Sequence, residues 1–122
     1  MAITASNNSG SADAAIDGNR NSRWTTGQDQ RENQWFEIDL GETATFSSIE
    51  LDSEGSSNDF PRLYSISVSE NGGDWETVAN GAGSDATTSV NFGTQTARYV
   101  RIEQSGTSDR WWWSIYEANL FR

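Results

Sequence analysis

WFEIDLGETATFSSIELDS, residues 35–53, carries the pattern on which the fold turns. From Trp35 the chain alternates: Trp35, Glu37 and Asp39 fall on one side of an extended backbone, and Phe36, Ile38 and Leu40 on the other. A period of two with one apolar side is a half-buried β-strand. A second run, TFSSIELDS (45–53), repeats the style after Gly41-Glu42-Thr43, which reads as a turn. Outward from this stretch the same style recurs in LYSISVS (63–69), TSVNF (88–92), ARYVRIEQ (97–104) and SIYEANLF (114–121). ENGGDWETV (70–78) predicts a hairpin around Asn71-Gly72-Gly73. The lone proline, Pro61, precedes a strand, where a missing N–H does least harm. About eight short strands predict an all-β fold, an antiparallel jelly-roll sandwich.

A chain of 122 residues has room for one domain and one core, so residues 1–122 are read as a single module, with Met1 an added start residue. There is no internal repeat and no linker. Cysteine, histidine and lysine are all absent. The first absence excludes a disulfide framework, the second removes the commonest general base, and the third leaves arginine as the only cationic side chain. Eighteen acidic residues against eight arginines give a net charge of −10, which opposes binding to nucleic acid and to anionic membranes. No run approaches the ~20 apolar residues of a membrane span, and the N-terminus shows no signal-peptide pattern. Catalysis would have to rest on carboxylates, as in a glycosidase pair, and none stands in a recognisable motif. The chain therefore reads as non-catalytic.

Three polar segments, 5–33, 53–62 and 104–112, are too long for tight turns. In a sandwich such loops gather at the ends and build binding sites. The third runs into Trp111-Trp112-Trp113, and strand alternation forbids all three rings from entering one core. Trp113 opens the terminal strand and is assigned to the core. Trp111 closes a polar loop and is assigned the exposed position, with Trp112 between the two roles. An exposed indole suits the apolar C–H face of a pyranose, and arginine forks and carboxylates suit its vicinal hydroxyls. Arg23, Arg62, Gln28 and Asp59 carry that chemistry in the same loops, as do Glu54 and Asn7. The alternative is that Trp111 folds back as a plug over the sandwich end. Trp24, Trp35 and Trp75 are read as packing residues.

AAIDGNRNSRWTT, QWFEIDLG, YSISVSENGGDWETV, ARYVRIE and WWSIYEANLF, in this order from about Ile3 to Phe121, resemble a discoidin domain, the coagulation factor V/VIII type C fold. Among its branches the chain most resembles the bacterial family 32 carbohydrate-binding modules. The resemblance implies a jelly roll with a sugar site among the loops at one end and a structural calcium ion. The ion would be held by carbonyls near Ala14 and Asn19, the Asp17 carboxylate, the Ser22 hydroxyl and Glu117. An Asx turn at Asp17-Gly18, with Glu117 paired to an arginine, is the alternative. The chain departs from galactose-binding members in lacking histidine, and from phospholipid-binding members in its acidic balance and lack of cysteine. The ending resembles modules that accompany enzymes acting on β-glucan or chitosan. The expectation is a secreted, monomeric, bacterial module, covalently linked to a catalytic domain, that binds a polysaccharide or oligosaccharide. Cell adhesion or protein interaction is the alternative.

Overall fold

The computed structural model describes residues 2–16, 18, 22–53 and 56–122. Among them are eight strands: β1 (Ala2–Ala5), β2 (Trp24–Thr25), β3 (Gln34–Asp52), β4 (Tyr64–Ser69), β5 (Glu76–Gly81), β6 (Thr87–Gln104), β7 (Ser114–Ile115) and β8 (Glu117–Phe121). A 3₁₀ helix, Ser9–Ala15, follows β1. All pairings are antiparallel, and six strands join in one ladder, with β2 and β7 pairing separately.

Two of the expected breaks between strands are bends instead. Residues 35–40 and 45–53 belong to the single strand β3, and 88–92 and 97–104 to the single strand β6. The two pair along almost their whole lengths, with register shifts between Asp39 and Ala44 and between Phe46 and Ser48. At those shifts the ladder turns a corner: Gly41 (φ +85°) and Gly93 (φ +79°) take left-handed conformations that a side chain would strain. The first half of β3 lies between β1 and the second half of β6, and β4 and β5 continue that layer. The second half of β3 lies between β8 and the first half of β6, forming the other layer. Long strands that change layer at bulges are how a jelly roll turns its corners.

The alternating residues of 35–40 behave as their period requires. Phe36 and Ile38 are buried with Ile49, Leu51, Ile66, Val100 and Ile102, while Leu40 packs at the margin of this core. Trp24 and Trp113 are fully buried, their rings edge to face at 5.0 Å, and Phe36 lies 5.0 Å from Trp24. Trp24 Nε1 donates to the Asn7 carbonyl at 2.8 Å, so its polar atom is satisfied inside the core. Trp35 and Trp75 pack on the outer face of the sheet, flanking the Arg101 guanidinium at 4.5 and 5.9 Å.

Register also sorts the loops. Gln34, Tyr64 and Gln104 are ladder partners at one pole of the sandwich, where all three long polar segments arrive. Asp39, Ser69 and Tyr99 are partners at the opposite pole, beside the bends and the 70–75 hairpin turn.

Candidate ligand-binding site

Three buried glutamines hold the loop pole together. Gln30, 2% exposed, donates from Nε2 to the carbonyls of Phe60 (2.7 Å) and Trp112 (3.0 Å), and its Oε1 accepts the Arg62 N–H at 2.9 Å. One side chain thus ties together all three long segments. Its backbone adds two more bonds, Gln30 N–H to the Trp111 carbonyl and Ser108 N–H to the Gln30 carbonyl. Gln104, fully buried, donates to the Arg31 and Gly106 carbonyls and accepts the Gly106 N–H at 2.8 Å. Gln34 donates to the Asp29 carbonyl. An amide both donates and accepts without charge, which suits it to satisfying loop backbone in a dry interior. These residues were not singled out from sequence, where glutamine reads as surface.

On this frame the 111–116 segment alternates. Trp113 and Ile115 are buried in the core. The intervening side chains, Trp112, Ser114 and Tyr116, line the other side and meet Arg23. The Arg23 guanidinium lies 5.9 Å from the Trp112 ring centroid and 6.0 Å from that of Tyr116, within cation–π range of both. Its Nη1 donates to Ser56 Oγ at 2.7 Å and lies 3.5 Å from Asp59 Oδ2. Ser56 Oγ also hydrogen-bonds the Tyr116 hydroxyl at 3.0 Å. β2 brings Arg23 here, because Trp24 pairs with Ile115 and Thr25 with Ser114.

Asp59 is the buried anchor of this strip. It is 6% exposed and accepts the Ser114 hydroxyl at 2.6 Å. Desolvation raises its carboxyl above the ordinary aspartate range, against the opposing pull of the Ser114 hydrogen bond and the charges of Arg23 and Arg62. As a buried group already bonded within the protein, Asp59 positions Arg23.

The remaining candidates divide. Trp112 is 39% exposed, whereas Trp111 is half-buried, with Arg110 over its ring at 5.5 Å. The expected order of exposure is therefore reversed, because side-chain parity counted back from the buried Trp113 turns residue 112 outward. Arg62 staples its own loop, stacking 3.9 Å from the Phe60 ring and donating to the Phe60 and Asn58 carbonyls. Gln28 is half-buried, its carbonyl accepting the Thr26 hydroxyl. Asn7 lies beside Trp24, its Oδ1 accepting the Ser6 hydroxyl. Glu54 falls outside the described residues. The sequence pattern places Tyr116 only within a strand. The signal that points to it is its even spacing from Trp112.

Of the residues expected around calcium, Asp17 and Asn19 also lie outside the described residues. Ala14 and Ser22 are half-buried, and Glu117, 7% exposed, is the register partner of the buried Asp52. Glu117 and Ile16 line one cavity of about 350 Å³. Among the described residues alone, no three Asp, Glu, His or Cys side chains are grouped to hold a metal ion. The set is nonetheless made of hard oxygen donors, which fits calcium and no softer metal.

An antiparallel jelly roll with its long loops gathered at one pole has the form of a discoidin-type module. The chain belongs to the F5/8 type C domain family, whose model matches residues 2–118. Among solved structures it is similar to chitosan-binding module 2 from the chitosanase/glucanase of Paenibacillus sp. IK-5, solved with chitotriose (28% identity, TM-score 0.84, covering 99% of this chain and 95% of that one). It is also similar to the family 32 module of Clostridium perfringens NanJ, solved with galactose (27%, TM-score 0.81, covering 97% and 90%). A third is the family 32 module of AlyQ, solved with 4,5-unsaturated mannuronic acid (29%, TM-score 0.79, covering 100% and 95%). Comparison with curated proteins returned no match. Among the described residues no helix is long and apolar enough to cross a membrane.

Proposed function

We propose that the chain is a non-catalytic carbohydrate-binding module that holds a polysaccharide or oligosaccharide at its loop pole. The observation that carries this reading is the Trp112–Arg23–Tyr116 strip: an exposed indole beside a guanidinium whose position is set by Ser56 and Asp59. A pyranose stacked on Trp112 would place ring hydroxyls within reach of the Arg23 fork and the Tyr116 hydroxyl. Family membership and the likeness to modules solved with sugars support the same reading. The net charge of −10 favours a neutral β-glucan or a cationic chitosan-type oligosaccharide over polyuronates. The module would serve a secreted bacterial polysaccharide-degrading enzyme by tethering it, which raises local substrate concentration. Calcium, held by Ala14, Asp17, Asn19, Ser22 and Glu117, would pin the 14–22 loop to β8 and take no part in sugar chemistry.

Titration calorimetry against glucan and chitosan oligosaccharides tests the reading. Trp112→Ala should weaken binding by about 1–3 kcal/mol, the range for losing one aromatic stacking partner. Trp111→Ala should weaken it less, since that ring is the less exposed. Equal affinity of the wild type and Trp112→Ala for the bound sugar would refute the site.

A further inference from the structure

We infer that the pole opposite the loops carries a second glycan subsite, selective for amino sugars. This inference rests on the carbohydrate-binding reading but uses different residues. The 70–75 hairpin turn and the bend of β6 enclose a groove of about 430 Å³, lined by Trp75, Glu70, Asp74, Glu76 and Gln95 and floored by Val68. That volume lies within the roughly 300–1,000 Å³ range of small-ligand sites.

The groove is built on a stiff turn. Asn71 Oδ1 accepts the N–H groups of Gly73 and Asp74 at 2.8 Å, and Ser69 Oγ accepts that of Gly72 at 2.9 Å. Tyr99 packs under Gly72, which at φ +77° has room for no more than van der Waals contact with the ring. Trp75 stands 6.3 Å from Tyr99, centroid to centroid, and is flanked by Arg101. A wall set in place before binding loses little entropy when a ligand arrives.

Charge decides the ligand class. Three acidic residues line the groove, and among the described residues no cationic one does. Arg101, the nearest guanidinium to Trp75, is engaged by Glu37 at 3.8 Å and Glu103 at 3.5 Å. Asp74 accepts a hydrogen bond from Asn71, whereas the Glu70 and Glu76 carboxylates have no hydrogen-bond or ion-pair partner among the described residues. Like charges left facing one groove on a chain of charge −10 call for a cationic occupant. A 2-amino-2-deoxy pyranose meets both demands, its ammonium toward Glu70 and Glu76 and its C–H face on Trp75, with the Gln95 amide near its hydroxyls. Because the loop strip and the groove lie at opposite poles, one module would then engage two chains, or two stretches of one.

The test is a titration of ¹⁵N-labelled protein with a glucosamine trisaccharide, read on the indole N–H signals of the six tryptophans. The Trp75 and Trp112 signals should both shift, with separate saturation. The Trp75 shift should survive in Trp112→Ala. The isosteric pair Glu70→Gln/Glu76→Gln should weaken it about fivefold or more while leaving the Trp112 response intact, as should raising salt from about 20 to about 300 mM. A Trp75 signal that stays still while Trp112 shifts overturns the groove and leaves the loop site standing. If neither signal moves, the groove falls, and the loop site then stands or falls on titration with the neutral glucan. An equal Trp75 response to a neutral glucose trisaccharide overturns the amino-sugar selectivity.

Discussion

Replacing Gln30 by leucine should destabilise the module by about 3 kcal/mol and loosen its sugar site, although Gln30 touches no sugar in the reading above. The side chain is 2% exposed and makes three bonds to backbone: two to carbonyls at 2.7 and 3.0 Å and one from an N–H at 2.9 Å. Leucine preserves most of the volume, so the cavity contribution is small. Each lost bond removes about 1 kcal/mol net, and more where the stranded backbone group cannot reach water. The sum is a large share of the 5–15 kcal/mol that holds a domain together. Because the three backbone groups belong to Phe60, Trp112 and Arg62, their release unpins Trp112 from the 53–62 loop, and glycan affinity should fall several-fold. Gln30→Glu separates polarity from packing. At neutral pH a buried carboxylate would face two carbonyl oxygens, and on acidification a protonated glutamic acid would regain one donor, so its deficit should shrink as pH falls. Urea unfolding gives the stability and calorimetry the affinity on the same samples. A loss below about 1 kcal/mol for Gln30→Leu would show that water replaces these bonds and that the clasp does not organise the loops.

Trp113→Ala should cost about 3–5 kcal/mol in the same assay, because a fully buried ring packed on Trp24 leaves a cavity the core cannot close. Asp59 should give the stability a pH dependence. Its folded pKa is raised above the ordinary 3.8, so between those values the folded state binds the proton more tightly, and the Asp59 contribution falls as pH rises through the window. Asp59→Asn should flatten that part of the profile in pH-dependent unfolding, and an unchanged slope would refute the burial argument. Asp39 acts in the opposite sense: hydrogen-bonded by Arg98, its pKa is lowered, so what it contributes is lost as pH falls through and below 3.8. Excess chelator should lower the melting temperature if calcium pins the 14–22 segment to Glu117, since an ion bound only by the folded state stabilises it by mass action. An unmoved melt together with metal-free purified protein would refute the calcium proposal.

The all-β class and the core face of residues 35–40 were legible in the sequence, because both follow from a period of two. Phe36, Ile38, Val100 and Ile102 are buried where alternation puts them, and Trp113 enters the core for the same reason. The three polar segments were legible as loops, and the pattern of motifs as discoidin-like. Periodicity cannot say how long a strand runs once it bends. Gly41-Glu42-Thr43 has the composition of a hairpin turn, yet β3 continues through it, because pairing with β6 resumes at Ala44–Ala97 and the ladder survives the corner. Nor could local pattern reveal which polar residues would be buried. Gln30, Gln34 and Gln104 are separated by up to about seventy positions and acquire meaning only when β3 and β6 bring the loop ends together. The same holds for Asp59, whose carboxylate turns inward because Ser114 and Arg23 reach it from other segments. Loop position favoured Trp111 as the open ring. Tertiary packing favoured Trp112, because the depth of Trp113 sets the parity of everything before it. Sequence determines the facing of residues that share a strand; which strands and loops meet at one pole, and so which side chains form a site, is decided by contacts between distant segments.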